Sequence, residues 1–514
     1  MSVKNNTAKK GLFNKFLNAV EVGGNKLPHP VTIFVILALL VILISEIGAR
    51  TGMEVSFYNA STKEQTTVAA VSLMNAAGLR YMFNTATTNF TSFAPLGTVL
   101  VAMLGVGVAE GTGLIGAALK KIVLGTPKKL ITAVVVLMGV MSNVASDAGY
   151  VVLVPLGAIV FLSFGRHPLA GLTAAFAGVS AGFSANLLLG TLDPLLAGIT
   201  NEAIKVGGSE IQILPTANYY FMFVSTFLLT ILGTLVTEKI VEPRLGEYKG
   251  PKLIESMDIT PAEKKGLKAA GLSILLFFAV MLFLTVPDNA LLRVPVEGAV
   301  KGNLNPWVSS GLVPTIMLAF LVPGIAFGIF SGSIKSDKDV VHSMGKAMAS
   351  MGGYLVLAFT AAQFVNYFTY TKLGIILAVS GANLLESIGF TGLPLVLAFI
   401  IVAAFINLFI GSASAKWAIM APIFIPMMMQ LGITPEFTQL AYRIGDSTTN
   451  IISPLMSYFA VIVTFAQKYD EDSGIGTLIS AMLPYTIVFL LGWSVLMIIW
   501  YFLGLPIGPG AFMF

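Results

Sequence analysis

INLFIGSASAKWAIMAPIFIPMMMQLGITPEFTQLAYRIGDSTTNIISPLMS, residues 406–457, is the stretch on which the fold of this chain turns. It is apolar enough to lie at bilayer depth, yet it holds Asn407, Lys416, Arg443 and Asp446 beside the helix breakers Gly411, Pro435, Gly445 and Pro454. Ionisable side chains at that depth are costly and must face protein or water. Non-helical backbone persists there only where protein buries it or a cavity adjoins it. Polar anchors around broken helix are the arrangement expected of a carrier's binding site.

Working outward, the 514 residues are 56% hydrophobic and 11% charged, with a mean hydropathy of +0.86. Soluble chains hold about 25% charged residues, so this is a membrane protein by composition. The absence of cysteine excludes disulfides, thiolate metal sites and cysteine nucleophiles. Three scattered histidines, His29, His167 and His342, leave little to build a zinc cluster from. The net charge of +5 fits a basic cytoplasmic face and calls for no nucleic-acid partner.

In chain order, residues 1–16 form a basic arm, and the apolar run at 31–47 is a first span too long and too poorly flanked for a cleaved signal. A polar loop to about residue 89 lies outside, and 95–119 returns as the second span. Residues 130–164 hold two short apolar halves around 142–149 and read as a re-entrant hairpin, followed by a helix over 169–199 interrupted around 178–190. Spans follow at 219–236, 266–286, 312–330 and 351–368, with an interfacial helix at 373–388. A second hairpin at 393–431, a second broken helix at 436–466 and a last span at 477–503 complete the layout. The fold expected is an all-α polytopic membrane protein, with about nine transmembrane helices plus two re-entrant helical hairpins. In this layout twenty-one Lys and Arg lie inside and seven outside, which places the N-terminus in the cytoplasm.

The two hairpin regions correspond. Pro155 and Pro422, Pro168 and Pro435, Gly178 and Gly445, and Ser180 and Ser447 are each 267 residues apart. The hairpins open from opposite sides, so the repeat is inverted, a sequence pointer to a secondary transporter with its site at the midplane.

Asn407 and Asp446 offer hard oxygen ligands suited to Na⁺, with carbonyls of residues 411–414 available to complete a shell. The alternative for Asp446 is an ion pair with Arg443, one turn earlier. Arg443 is a planar fork suited to a carboxylate, sulfonamide or carboxamide. Trp417 either stacks on an aromatic ligand or anchors and packs, and folding the hairpin onto the broken helix would bring it and Arg443 to one cavity. Lys416 is read as snorkelling to water. Asp193 has no basic neighbour in sequence and should bind an ion, a proton or substrate. Asn143, with Ser146 and Asp147 at the opposite tip, is a candidate second ion site, and Pro435 and Pro454 set the break and a hinge.

The ordered set Asn25-Lys26-Leu27-Pro28-His29-Pro30, Phe93-Ala94-Pro95-Leu96-Gly97, Ser146-Asp147-Ala148, Gly165-Arg166-His167-Pro168, Ala185-Asn186-Leu187, Tyr442-Arg443-Ile444-Gly445-Asp446-Ser447 and Gly504-Leu505-Pro506-Ile507-Gly508-Pro509-Gly510 resembles the p-aminobenzoyl-glutamate transporter (AbgT) family. That family lies within the ion-transporter superfamily of elevator-type carriers. The resemblance implies one integral domain over 1–514 and a homodimer in a bacterial inner membrane. It also implies an inner dimerisation core near 25–129 and 219–388, and an outer transport core near 130–218 and 393–503. It puts Asn407 and Asp446 at a Na⁺ site, and Asp193, Ser414, Trp417, Pro435, Arg443, Asp446 and Pro454 at positions that handle substrate. Family members take up p-aminobenzoyl-glutamate or export sulfonamide antimetabolites, driven by Na⁺ or H⁺ gradients.

Two other classes compete with the carrier. A channel would share the broken helices. An intramembrane enzyme lacks a visible His-Glu motif, cysteine or serine-histidine arrangement, and no glycine-rich Gly-Lys-Ser/Thr loop supports a primary pump. No cofactor is expected beyond Na⁺ as a coupling ion.

Overall fold

Apolar runs become helices, and the breaks fall where proline, glycine and polar residues interrupt them. The computed structural model describes residues 28, 30–59, 64–143, 149–250, 259–295, 302–304, 306–307, 311–453, 456 and 458–514. The basic arm, Ser146, Asp147 and Pro454 lie outside these residues. Helix α1 (Pro30–Thr51) starts on a proline, whose fixed φ suits a first helical turn, and stops before Gly52 at φ 69°. Its exposed Leu39, Leu43 and Ile47 present an apolar surface, as a lipid-solvated helix does.

The segment expected as a polar loop instead forms an antiparallel pair, β1 (Glu54–Asn59) and β2 (Glu64–Ala69), and then α2 (Ala76–Thr91), whose first turn is capped by Asn75. This small sheet is a local departure from the all-α reading, built on alternating β-branched residues such as Thr66 and Val68. The second span is also not straight. Helices α3 (Ala94–Gly111) and α4 (Leu114–Leu124) meet at a 64° bend, where Gly113 turns the chain at φ 87°.

The first hairpin is α5 (Ile131–Ser142) and α6 (Val154–Ser163), followed by α7 (Pro168–Phe176) with a π turn at Ala177–Ala181. Non-helical backbone then leads to α8 (Leu192–Val206). Helices α9 (Tyr219–Val236), α10 (Pro261–Thr285) and α11 (Leu312–Ser331) follow, then α12 (Asp337–Ser350) bent 46° from α13 (Gly352–Tyr370), then α14 (Leu373–Ser387). The second hairpin is α15 (Gly392–Asn407) and α16 (Ala413–Gln430). The second broken helix is α17 (Pro435–Thr449), ending in a short 3₁₀ turn, and α18 (Phe459–Gln467); α19 (Ile475–Leu503) closes the chain. Among the described residues five helices are long and apolar enough to cross a membrane, or seven if each bent pair is one span. With the two broken helices, this reaches the nine that the sequence implied.

Burial separates the layers. Helix α10 is almost bare, with Leu272, Leu275, Leu276 and Phe283 all exposed, whereas α17 is buried from Phe437 to Thr449 although it carries Gln439, Arg443, Asp446 and several threonines. The repeat is visible in close contacts. A β-carbon on Gly178 would lie 2.3 Å from the Val136 carbonyl oxygen on α5, and one on Gly445 would lie 2.4 Å from that of Ile400 on α15. Each broken helix thus presses its own hairpin at a matching glycine, where only a missing side chain allows backbones so near. Helix α9 packs on α5 and α19, with Trp493 Nε1 donating to Ser225 Oγ at 2.7 Å. Helix α9, placed by the resemblance in the inner core, makes these contacts with the first hairpin and with the closing helix.

The glycine contacts predict an ordering of stabilities. Gly445→Val forces side-chain atoms into Ile400 and should cost about 1–3 kcal/mol. Gly271→Ala, on α10 with nothing within 4 Å, should be neutral or slightly stabilising because alanine is the better helix former. Thermal unfolding of both purified variants checks the order.

Candidate functional site

The chain leaves α15 at Asn407, turns through residues 408–412, and re-enters helix with the Ser412 side chain accepting from Ala415 N–H. The first turn of α16 aims Lys416 inward, so that the lysine and Asp446 of α17 are 0% and 1% exposed. Lys416 Nζ lies 2.5 Å from Asp446 Oδ1 and also donates to Asn407 Oδ1. The Asn407 amide nitrogen shares its hydrogens among Asp446 O at 2.6 Å, Asn450 Oδ1 at 2.8 Å and Thr449 Oγ1 at 2.9 Å. The hairpin tip is thereby tied to the end of α17. Tyr442 adds a clamp: its hydroxyl donates to Ala413 O at 2.5 Å and lies 3.3 Å from Asp446 Oδ1.

A second ion pair joins the two broken helices. Arg443 Nη2 donates to Asp193 Oδ1 at 2.8 Å and to Ser184 O at 2.9 Å, while Asp193 Oδ2 accepts from Gly190 N–H at 2.8 Å. Ser184 N–H reaches Ser447 Oγ at 3.1 Å and Asn450 Nδ2 reaches Ser180 O at 3.1 Å. Backbone groups of the first break are therefore met by Arg443, Ser447 and Asn450 of the opposite repeat and, at Gly190, by Asp193 of its own, as low-dielectric surroundings demand. Asp446 Oδ2, Arg443 Nε and Ser184 Oγ are buried with no partner among the described residues.

Beside these pairs lies a cavity of about 390 Å³ between the hairpin tips. Asn143 lines it from the first hairpin and residues 411–414, with Ser414, line it from the second; Thr191, Leu195 and Asn450 come from the breaks, and Val99, Met103, Met351 and Tyr354 from α3 and the α12–α13 region. Tyr150 and Tyr458 stack at its edge, with ring centroids 4.6 Å apart. Asn143 Oδ1 and the Tyr354 hydroxyl have no partner among the described residues.

The structure rearranges several readings from sequence. No ion pair links Arg443 to Asp446 among the described residues; each has found an opposite charge on another element. Lys416 does not snorkel, because Asp446 lies within its reach inside the protein. Trp417 does not face the cavity. It is fully buried, stacked on Tyr442 at 4.3 Å, and its Nε1 donates to Thr200 Oγ1 at 2.9 Å. Pro435 is the first residue of α17, away from the cavity lining, and Pro454 lies outside the described residues. The Asn407 and Asp446 oxygens suit a small cation, and in this conformation the Lys416 ammonium is the cation between them. Tyr354, Tyr150 and Tyr458 escaped sequence reading because single tyrosines in apolar helices carry no local signal. Lys416 carried one: two basic and two acidic residues at membrane depth balance only if it pairs.

The sequence matches the "AbgT putative transporter family" over residues 15–514. It is 38% identical over 498 residues to the p-aminobenzoyl-glutamate transport protein of Escherichia coli (strain K12), covering 97% of each chain. The crystal structure of the Alcanivorax borkumensis YdaH transporter, described as having an unusual topology, superposes with a TM-score of 0.88 at 45% identity, over 94% of this chain and all of that one. MtrF of Neisseria gonorrhoeae, described within a class of antimetabolite efflux pumps, gives a TM-score of 0.90 at 48% identity, over 96% of this chain and 100% of that one.

Removing one member of a buried ion pair strands the other charge. Asp193→Ala and Arg443→Ala should each destabilise the protein by about 3–5 kcal/mol, and the double variant by clearly less than their sum. A double-mutant cycle by thermal unfolding in detergent measures the coupling, and strict additivity would show the pair to be uncoupled.

Proposed function

The chain belongs to the AbgT transporter family, and from that premise we propose a secondary active carrier of p-aminobenzoyl-glutamate or related p-aminobenzoate and sulfonamide compounds, by uptake or by efflux. It is a transporter and not an enzyme. The observation that carries the proposal is the cavity between the two hairpin tips, bounded by both helix breaks and by helices of the other layer. Its volume falls in the range of small-molecule sites. Its stacked tyrosines suit a flat ring, while the Tyr354 hydroxyl can donate to a carbonyl, carboxylate or sulfonyl oxygen and Asn143 Oδ1 can accept from an aryl amine. The Escherichia coli relative, a p-aminobenzoyl-glutamate transport protein, and MtrF, within a class of antimetabolite efflux pumps, support the same ligand class.

The hairpins and broken helices, with α9 and α19, form the body we propose to move against α1–α3 and α10–α13, driven by a Na⁺ or H⁺ gradient. The bare apolar face of α10 supports a homodimer formed through the static layer, and the charge asymmetry supports a bacterial inner membrane with the N-terminus inside. Ser414 enters as a wall of the cavity; Asp193, Arg443 and Asp446 hold the breaks that shape it.

Flux of labelled p-aminobenzoyl-glutamate and sulfamethazine into proteoliposomes under imposed Na⁺ or H⁺ gradients tests this. Saturable, gradient-dependent accumulation of either is expected; gradient-independent flux with conductance above carrier rates would make the protein a channel. Tyr354→Phe, which removes one hydroxyl and no packing, should weaken ligand binding roughly two- to tenfold without lowering the melting temperature.

A further inference from the structure

We propose that the Lys416 ammonium is a tethered competitor for the cation of this carrier: it fills the one position between Asn407 Oδ1 and Asp446 Oδ1, and a Na⁺ ion takes those oxygens only when Lys416 withdraws. Both oxygens already hold the lysine nitrogen, and lysine and aspartate are entirely buried. In such surroundings two like charges cannot share one carboxylate without a large repulsion. The wider site is also neutral as it stands, because Lys416 and Arg443 are matched by Asp446 and Asp193. An added Na⁺ would leave an uncompensated buried charge, whereas exchange for the ammonium would not. The Asp446 Oδ2 atom, buried without a partner among the described residues, leaves a second carboxylate oxygen for an entering ion.

The exchange site adjoins the cavity wall along the chain. Lys416 lies two residues beyond Ser414, on the helix that opens the second tip, and Tyr442 ties Ala413 of that tip towards the same carboxylate. Withdrawal of the lysine shifts the residues that wall the ligand space, so cation occupancy and cavity access become linked. The competition rests on the geometry at Asp446 and is read without any transported compound, so it can fail while the transport reading stands.

The test uses purified full-length protein in detergent, melted in NaCl against choline chloride of equal ionic strength. Lys416→Met should gain a saturable Na⁺-dependent rise in melting temperature that is weak or absent in the wild type, and Asp446→Asn in the Lys416→Met background should abolish it. Equal Na⁺ stabilisation of wild type and Lys416→Met, or none in a folded Lys416→Met protein, would overturn the proposal. Amine acylation of Lys416 in the wild type, read by mass spectrometry, decides independently of variant folding. Labelling should rise with Na⁺ relative to choline, and labelling unchanged up to molar Na⁺ would refute the exchange.

Discussion

Charge neutralisation at membrane depth is the constraint on which the rest of this structure depends. Helix α17 carries Arg443 and Asp446 one turn apart, and the simplest solution would pair them on one helix surface. The fold sends each outward instead, Arg443 to Asp193 on α8 and Asp446 to Lys416 on α16. A local pair would have satisfied the charges and left the elements independent. The Arg443–Asp193 pair makes the two repeats conditional on each other and the Lys416–Asp446 pair ties the second hairpin to its own broken helix, because removing any one of the four residues leaves a charge stranded in a low dielectric.

Steric exclusion sets how closely these elements can approach. Gly178 and Gly445 let the broken helices lie against α5 and α15 with their backbones nearly touching, and that depth of contact brings the two breaks together. Ser184 then meets Ser447, and Asn450 meets Ser180, so that backbone groups no helix satisfies are paired across the pseudo-symmetry. A break is tolerable in the bilayer where the surrounding protein meets its hydrogen bonds, and for the first break much of that comes from the second.

Much of this was legible in the sequence, for reasons that differ by residue. The hairpins at 130–164 and 393–431 and the interrupted helices announced themselves through apolar runs too short to cross and through Pro, Gly and polar clusters between them, signals that are local. The 64° bend at Gly113 and the sheet over 54–69 were missed because one glycine or a few β-branched residues weigh little beside a long apolar run or a polar loop. Partners were the harder problem. Asp193 and Arg443 are 250 residues apart, and nothing in either neighbourhood names the other. Trp417 was open between a stacking face beside a serine-rich turn and a packing residue, and it packs: its ring lies on Tyr442 and its indole nitrogen, which needed an acceptor, found Thr200.

That tryptophan bond begins a relay with a mechanical meaning. Thr200 Oγ1 donates to Gln439 Oε1 at 2.7 Å, Gln439 Nε2 to Asn218 Oδ1 at 2.8 Å, and Asn218 Nδ2 to Glu436 O at 2.8 Å. Hairpin, both broken helices and the start of α9 are linked by directional bonds that resist shear. Across the cavity the surfaces are of another kind: Val99, Met103 and Met351 face Leu195 and the hairpin tips with apolar side chains. Apolar contacts are non-directional and can be exchanged for one another at little cost. A body stitched internally by polar bonds and bordered by apolar contacts has its natural plane of slip at that border, and the cavity lies in the border. In the motion proposed above, slip along that border would carry the Arg443–Asp193 pair intact within one body, so those two charges need never be exposed to lipid.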